Sequence, residues 1–226
     1  MTLQRHTALG AGLLLLLGGI GCAWALQTID TPAMGDHTAH QQAAMDSSAT
    51  HDHAAHLAAM AKPGYSVSSE HYVIPDVQLI DESGASVTLR SILDVDKPIA
   101  MNFIFTTCTT ICPVMTATFA QMRRELGEAG EQLRLVSISI DPEYDRPEKL
   151  KAYAEMFHAG PGWAFLTGDG DDLSQVYRAF DSFSGSKMNH QPLTLLKRPR
   201  SSSWIRIDGL ASSADLAQEV TKRLLN

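Results

Sequence analysis

Ile99-Ala100-Met101-Asn102-Phe103-Ile104-Phe105 runs into Thr106-Thr107-Cys108-Thr109-Thr110-Ile111-Cys112-Pro113, and this stretch decides the fold. The first seven residues are nearly all apolar, the pattern of a central strand covered on both faces. Beyond Pro113, Met115, Phe119, Met122 and Leu126 recur at helical spacing and predict a helix over 113–127. Proline suits the first helical position and disfavours helical geometry in the residue before it. That reasoning makes Cys112 the N-cap and leaves Cys108 in the loop. Two thiols at a strand-to-helix turn are open to a ligand or a redox partner. Cys112 would feel the free N–H groups and positive end of the helix, which favour its thiolate, the form that binds soft metals and attacks disulfides.

Working outward, further elements alternate. Leu133–Ile140 reads as a strand ended by Asp141-Pro142, and Pro147 opens a helix through about Phe157. Trp163–Thr167 reads as a strand and Asp171–Phe180 as a helix. Leu193–Lys197 and Trp204–Asp208 read as a hairpin across 198–203, and Ser213 caps a last helix ending near Leu225. Upstream, 76–81 and 85–89 flank Glu82-Ser83-Gly84 as an N-terminal β-hairpin. The expected fold class is α/β, a thioredoxin-like sheet with helices on both faces and a late loop insertion carrying His190. Ligands of such sheets gather at the carboxyl ends of strands, where Cys108 and Cys112 lie.

The 226 residues suffice for one sizeable core. A net charge of −7 without a long basic run argues against nucleic acid as a partner. Ala8 to Leu26 is a stretch of 19 uncharged residues preceded by Arg5. It reads as an export signal with Ala23-Trp24-Ala25 as a cleavage pattern, as an uncleaved anchor, or, through Gly19-Ile20-Gly21-Cys22, as a lipoprotein site. Each places the rest outside the cytoplasm, in a bacterial periplasm or on the outer face of the inner membrane. Domain boundaries follow: 1–26 export signal or membrane anchor, 27–64 disordered linker, 65–226 folded domain. The linker holds His37, His40, His51, His53 and His56, five of the nine histidines, interleaved with Met34, Met45 and Met60. Imidazole suits copper and zinc and thioether suits Cu(I), so the linker reads as an auxiliary, weak metal-collecting tail.

Three blocks together resemble the Sco/SenC family: Phe103-Ile104-Phe105-Thr106-Thr107-Cys108 with Cys112-Pro113, Ser137-Ile138-Ser139-Ile140-Asp141-Pro142-Glu143-Tyr144-Asp145, and Asn189-His190. The resemblance covers about 70–226. It implies a thioredoxin-fold protein outside the cytoplasm that binds copper and serves in building the binuclear copper centre of cytochrome c oxidase. Carried over residue by residue, it implies Cys108, Cys112 and His190 as ligands of Cu(I) or Cu(II). It also implies the copper-bearing oxidase subunit as partner, alongside a thiol reductant and another copper carrier. Two departures stand out. Thr109 occupies a position where the family often has proline, and Thr110-Ile111 replaces an acidic or polar residue.

Two functions compete for the same residues. One is a metallochaperone holding copper on two thiolates and an imidazole. The other is a thiol-disulfide oxidoreductase using Cys108 and Cys112 as a redox-active dithiol. Three residues between the cysteines, rather than the two usual in thioredoxin oxidoreductases, lean towards metal, as do His190 and the tail. A peroxidase explains neither histidine feature, and a passive copper buffer leaves the domain as scaffold. Asp141 and Asp145 either support the site from a neighbouring strand end or form turns and caps ahead of Pro142 and Pro147. His158 reads as a helix C-cap, His71 as a surface residue, Met115 and Met122 as core, and Lys197-Arg198-Pro199-Arg200 as a solvated hairpin tip.

Overall fold

A computed structural model describes residues 64–182 and 185–226. The export segment, Cys22 and the tail histidines His37, His40, His51, His53 and His56 lie outside the described residues. Strand β1 spans Tyr65–His71, β2 Gln78–Asp81, β3 Ser86–Thr88, β4 Ile99–Ile104, β5 Arg134–Ser139, β6 Trp163–Thr167, β7 Leu193–Lys197 and β8 Ser203–Gly209. Helix α1 spans Leu89–Leu93, α2 Ile111–Glu125, α3 Glu128–Gln132, α4 Pro147–Met156, α5 Gly170–Ala179 and α6 Ser213–Val220, with a π-helical turn over Thr221–Leu225. Among the described residues the strands form one sheet in the order β1-β8-β7-β4-β5-β6-β2-β3.

The centre of that sheet follows from the apolar runs. Every residue of β4 is buried, as is every residue of β6 and all of β5 beyond Arg134. Strands β4, β5 and β6 pair in parallel, Phe103 opposite Ile138 and Ile138 opposite Leu166. Strand β7 returns antiparallel on the other side of β4, with Asn102 opposite Thr194 and Ile99 opposite Lys197. The carboxyl end of β4 therefore lies beside the start of β7, which brings the cysteine turn and His190 to one end of the sheet. One polar chain crosses the core: the Trp163 indole N–H donates to Ser137 Oγ at 3.0 Å, and Ser137 Oγ donates to Asn102 Oδ1 at 2.7 Å. It ties β6, β5 and β4 together in a single register.

Differences from expectation lie at the edges. Strand β1 was not anticipated: its residues Tyr-Ser-Val-Ser-Ser-Glu-His are mostly polar, and it is an edge strand held by seven residue pairs with β8. Leu89 leaves the expected hairpin strand and begins α1, because Thr88 Oγ1 accepts the Ser91 N–H and caps a turn there. The last helix is capped by Ser212 rather than Ser213, in a reciprocal capping box with Asp215. Phe157 rather than His158 is the C-cap of α4, and His158 follows it with a positive φ of 53°, the left-handed conformation that ends a helix. Met115 and Met122 are core residues. Lys197 is buried over the Trp204 ring rather than part of a solvated tip, because its stem lies within β7.

The β1–β8 pairing depends on Gly209, whose φ is +103°. A Cβ there would stand 2.4 Å from the Gly64 carbonyl oxygen. Gly209→Ala combines this backbone clash with a conformation L-residues avoid, so it is expected to destabilise the domain by about 1–3 kcal/mol. A lowered urea midpoint with unchanged m-value checks this; an unchanged midpoint contradicts it.

Candidate metal and thiol site

The two cysteines meet in one turn. The Cys108 N–H donates to the Phe105 carbonyl at 3.1 Å, which closes the backbone just after β4. The helix begins two residues earlier than proline placement predicts: Thr110 is the N-cap, and Cys112 is inside the first turn rather than at the cap. Pro113 is tolerated because the N–H groups of a first helical turn have no intrahelical partner to lose. One consequence is chemical. The Cys112 N–H is free to donate to Cys108 Sγ, at 3.4 Å, and Thr110 Oγ1 lies 3.7 Å from the same sulfur.

The thiols are therefore unequal. Burial alone would raise the Cys108 thiol, but the donors from Cys112 and Thr110 outweigh it and bring it down from near 9 to about 7. Cys112 does not take the thiolate form expected from the helix end: it is fully buried, and burial pushes its thiol up to about 12, with the charges of Cys108 and Asp145 adding to the effect. Both cysteines are free thiols. Behind Cys112, Thr116 Oγ1 donates to the Cys112 carbonyl at 2.9 Å and lies 3.0 Å from the Tyr153 hydroxyl.

Asp145 supports the turn from below. Its carboxylate is fully buried and accepts the Thr106 N–H at 3.2 Å, the Thr106 hydroxyl at 2.5 Å and the Ser139 hydroxyl at 2.6 Å. Burial raises its pKa despite those donors. It does not cap α4, whose N-cap is Arg146 without a side-chain bond. Asp141 does both things the sequence allowed. Its carbonyl accepts the Tyr144 and Asp145 N–H groups, forming the turn, while its carboxylate takes Lys187 Nζ at 2.5 Å.

His190 is not a solvated loop residue. A 3₁₀ turn over Lys187–Asn189 delivers it, and it is only 8% exposed. Its Nε2 lies 2.9 Å from the Phe103 carbonyl oxygen. A carbonyl only accepts, so Nε2 carries the proton and Nδ1 keeps a lone pair. That Nδ1 is buried and has no hydrogen-bond partner. Burial lowers the imidazole pKa, which keeps the ring neutral and able to ligate. The donor set, two sulfurs and one unpartnered imidazole nitrogen, fits a soft ion. The three residues share one end of β4, but among the described residues no group of three His, Cys, Asp or Glu is drawn together tightly enough to hold a metal. Thr106, Ser139 and Lys187 are the supporting residues that sequence reasoning missed. The Asp141–Asp145 spacing at a strand end was the one signal pointing to them.

A family model described as SCO1/SenC matches residues 66–225. The chain belongs to the SCO1/SenC family. The SCO1 protein homolog of Bacillus subtilis is 34% identical over 99 residues, covering 43% of this chain and 50% of that protein. The chain thus spans about half the length of the curated relatives it matches. Among solved structures, BsSco superposes with a TM-score of 0.57 at 25% identity, covering 69% of this chain and 95% of that one. It is described as having a disulfide switch and as a member of a family of cytochrome c oxidase assembly proteins. Copper-bound ScoI of Arabidopsis thaliana shares the fold, with a TM-score of 0.56 at 23% identity over 66% of this chain and 97% of that one. These likenesses establish the mixed α/β, thioredoxin-like architecture expected from the sequence.

The thiol asymmetry predicts selective, pH-dependent chemistry. In the reduced protein, alkylation by iodoacetamide should modify Cys108 with a midpoint near pH 7 and leave Cys112 unmodified until the domain unfolds. Linkage gives a matching sign. A depressed folded pKa stabilises above the unfolded value near 9, and that contribution is lost as pH falls through about 7. Peptide mass spectrometry across a pH series checks the first; equal modification of both cysteines contradicts it.

Proposed function

We propose that the protein is an extracytoplasmic copper carrier that holds one copper ion on Cys108, Cys112 and His190. It passes the ion to the copper-bearing subunit of cytochrome c oxidase by ligand exchange. The observation that carries this reading is the buried, unpartnered Nδ1 of His190 at the same strand end as the two thiols. A buried polar atom without a partner is rare and costly, and a metal bond supplies the missing partner. Family membership and the copper-bound fold relative support the same ion. Two thiolates and an imidazole suit Cu(I) and tolerate Cu(II). Residues 8–26 export the chain or attach it to the membrane, and a thiol reductant and an upstream copper carrier serve the site before delivery.

A second reading has its own observation. A thiol near pKa 7 beside a buried thiol near 12 is the division between an attacking and a resolving cysteine. In that reading the Cys108 thiolate attacks a partner disulfide and releases one partner thiolate. Cys112 then loses its proton and displaces the second, leaving a Cys108–Cys112 disulfide and a reduced partner. The relative described with a disulfide switch favours keeping this reading beside the first.

Anaerobic Cu(I) titration under a competing chelator separates them. The reduced protein should bind one ion tightly, and Cys108→Ser or Cys112→Ser should abolish tight binding, because a hydroxyl is a poor Cu(I) ligand. His190→Ala should weaken Cu(II) more than Cu(I), with loss of a nitrogen scatterer in X-ray absorption. Equal affinity of the oxidised and reduced protein would show that the thiols are not the ligands and would leave the reductase reading standing.

Deleting residues 30–62 should remove additional weak copper sites, those of His37, His40, His51, His53 and His56, and leave the one tight site unchanged. Stoichiometry measured by equilibrium dialysis decides it, and loss of the tight site in the truncated protein would refute the assignment.

A further inference from the structure

The segment that carries His190 is fastened beside the cysteine turn by a residue outside the ligand set. Lys187 stands three residues before His190, in the same 3₁₀ turn. Its Nζ lies 2.5 Å from Asp141 Oδ2 and 5.9 Å from the centroid of the Phe105 ring. Phe105 is the residue whose carbonyl closes the Cys108 turn. Asp141 is itself held: its N–H donates to Ser139 Oγ at 2.9 Å, and Ser139 Oγ donates to Asp145, whose carboxylate takes Thr106. One unbroken polar path thus runs Lys187–Asp141–Ser139–Asp145–Thr106 and ends two residues from Cys108.

We propose that Lys187 is a positioning residue for His190: its ion pair with Asp141 and its packing on Phe105 hold the histidine segment at the carboxyl end of β4, where the cysteine turn starts, so that the imidazole is kept near an ion the thiols would hold. The ordering cost of that segment is met before the metal arrives, which is the physical content of preorganisation. The inference rests on the copper-carrier reading for its metal arm but not for its structural arm. The Lys187 side chain is 41% exposed while that of Asp141 is buried, at 8%. The ion pair is therefore of ordinary rather than exceptional strength. The charge balance supports a lysine here: Asp141, Glu143 and Asp145 all act on Lys187 in the same favourable sense. Truncating Lys187 leaves Asp141 without its cation while every bond inside the Asp145 cluster remains. The effect is therefore confined to the histidine side of the site.

The test uses full-length reduced protein with Lys187→Met, which keeps the apolar stem and removes the charge, and Lys187→Arg, which keeps the charge. Hydrogen–deuterium exchange without metal should be about two- to fivefold faster across 185–192 in Lys187→Met, the range an ion pair of this exposure allows, and restored in Lys187→Arg. Cu(II) affinity should fall by a similar factor in Lys187→Met. It should not fall further when the same substitution is made in a His190→Ala background, because a residue acting through His190 has nothing left to position. Unchanged exchange, an equal affinity loss in both backgrounds, or tighter copper binding by Lys187→Met would each overturn the proposal. If the wild-type protein takes up no copper while exchange still responds to Lys187→Met, the carrier reading falls and the positioning of His190 by Lys187 stands.

Discussion

The Asp145 carboxylate is the constraint on which the site depends. A carboxylate removed from water is tolerated only when its oxygens are satisfied by donors. Here the donors come from two strands: Thr106, just past β4, gives its N–H and its hydroxyl, and Ser139, the last residue of β5, gives its hydroxyl. The carboxylate cannot be satisfied unless the ends of β4 and β5 sit at one fixed separation. The cysteine turn starts from one of those ends and the Asp141 turn from the other, so a single buried charge registers both. Shifting either strand end strands an anion in the core, a far larger penalty than the loss of an exposed contact.

The same charge shapes the thiols. Cys108 ionises readily because two donors converge on its sulfur. Cys112 resists because burial, the Cys108 thiolate and Asp145 all oppose a second anion nearby. If the two sulfurs held a soft cation, as proposed, its charge would offset that opposition and couple uptake of the ion to loss of the Cys112 proton. Until then only Cys108 ionises near neutral pH, and both sulfurs are buried. The asymmetry that gives the site a reductase-like profile also keeps it from closing on an ion without releasing a proton. The carrier and reductase readings thus share a physical origin and differ in what reaches Cys108 first.

The layout of the domain was legible where burial follows from period and run length. The continuous apolar residues of β4 and β5 and the helical stripe Met115-Phe119-Met122 carry their meaning locally, and Cys108 falls in the loop where that reading puts it, whereas Cys112 lies inside the first helical turn rather than at its cap. Strand β1 was not legible. Only Tyr65 and Val67 stand among its serines and Glu70, and an edge strand gains its hydrogen bonds from a partner 144 residues away in sequence where Tyr65 lies opposite Gly209. His190 was legible as a candidate through Asn189-His190, yet its environment was not. A Gly/Ser-rich approach reads as solvated loop, whereas the ring is fixed by a backbone carbonyl 87 residues earlier. The Lys187–Asp141 pair spans 46 residues and leaves no periodic trace. Hydrogen bonds between residues far apart in sequence are invisible to local patterning, and the support of this site consists largely of them.

The departure at Thr109 and Thr110 then acquires a physical account. A proline after the first cysteine stiffens the turn by fixing φ. This chain lacks that restraint and uses others in its place. Thr110 starts the helix, which places Ile111 and Cys112 in helical geometry and frees the Cys112 N–H to grip Cys108 Sγ from the far side of the turn. The Thr110 hydroxyl adds a second contact to the same sulfur. A covalent restraint on the backbone has been exchanged for donors aimed at the thiolate. Those donors favour the Cys108 thiolate over the thiol, because a charged sulfur is the stronger acceptor.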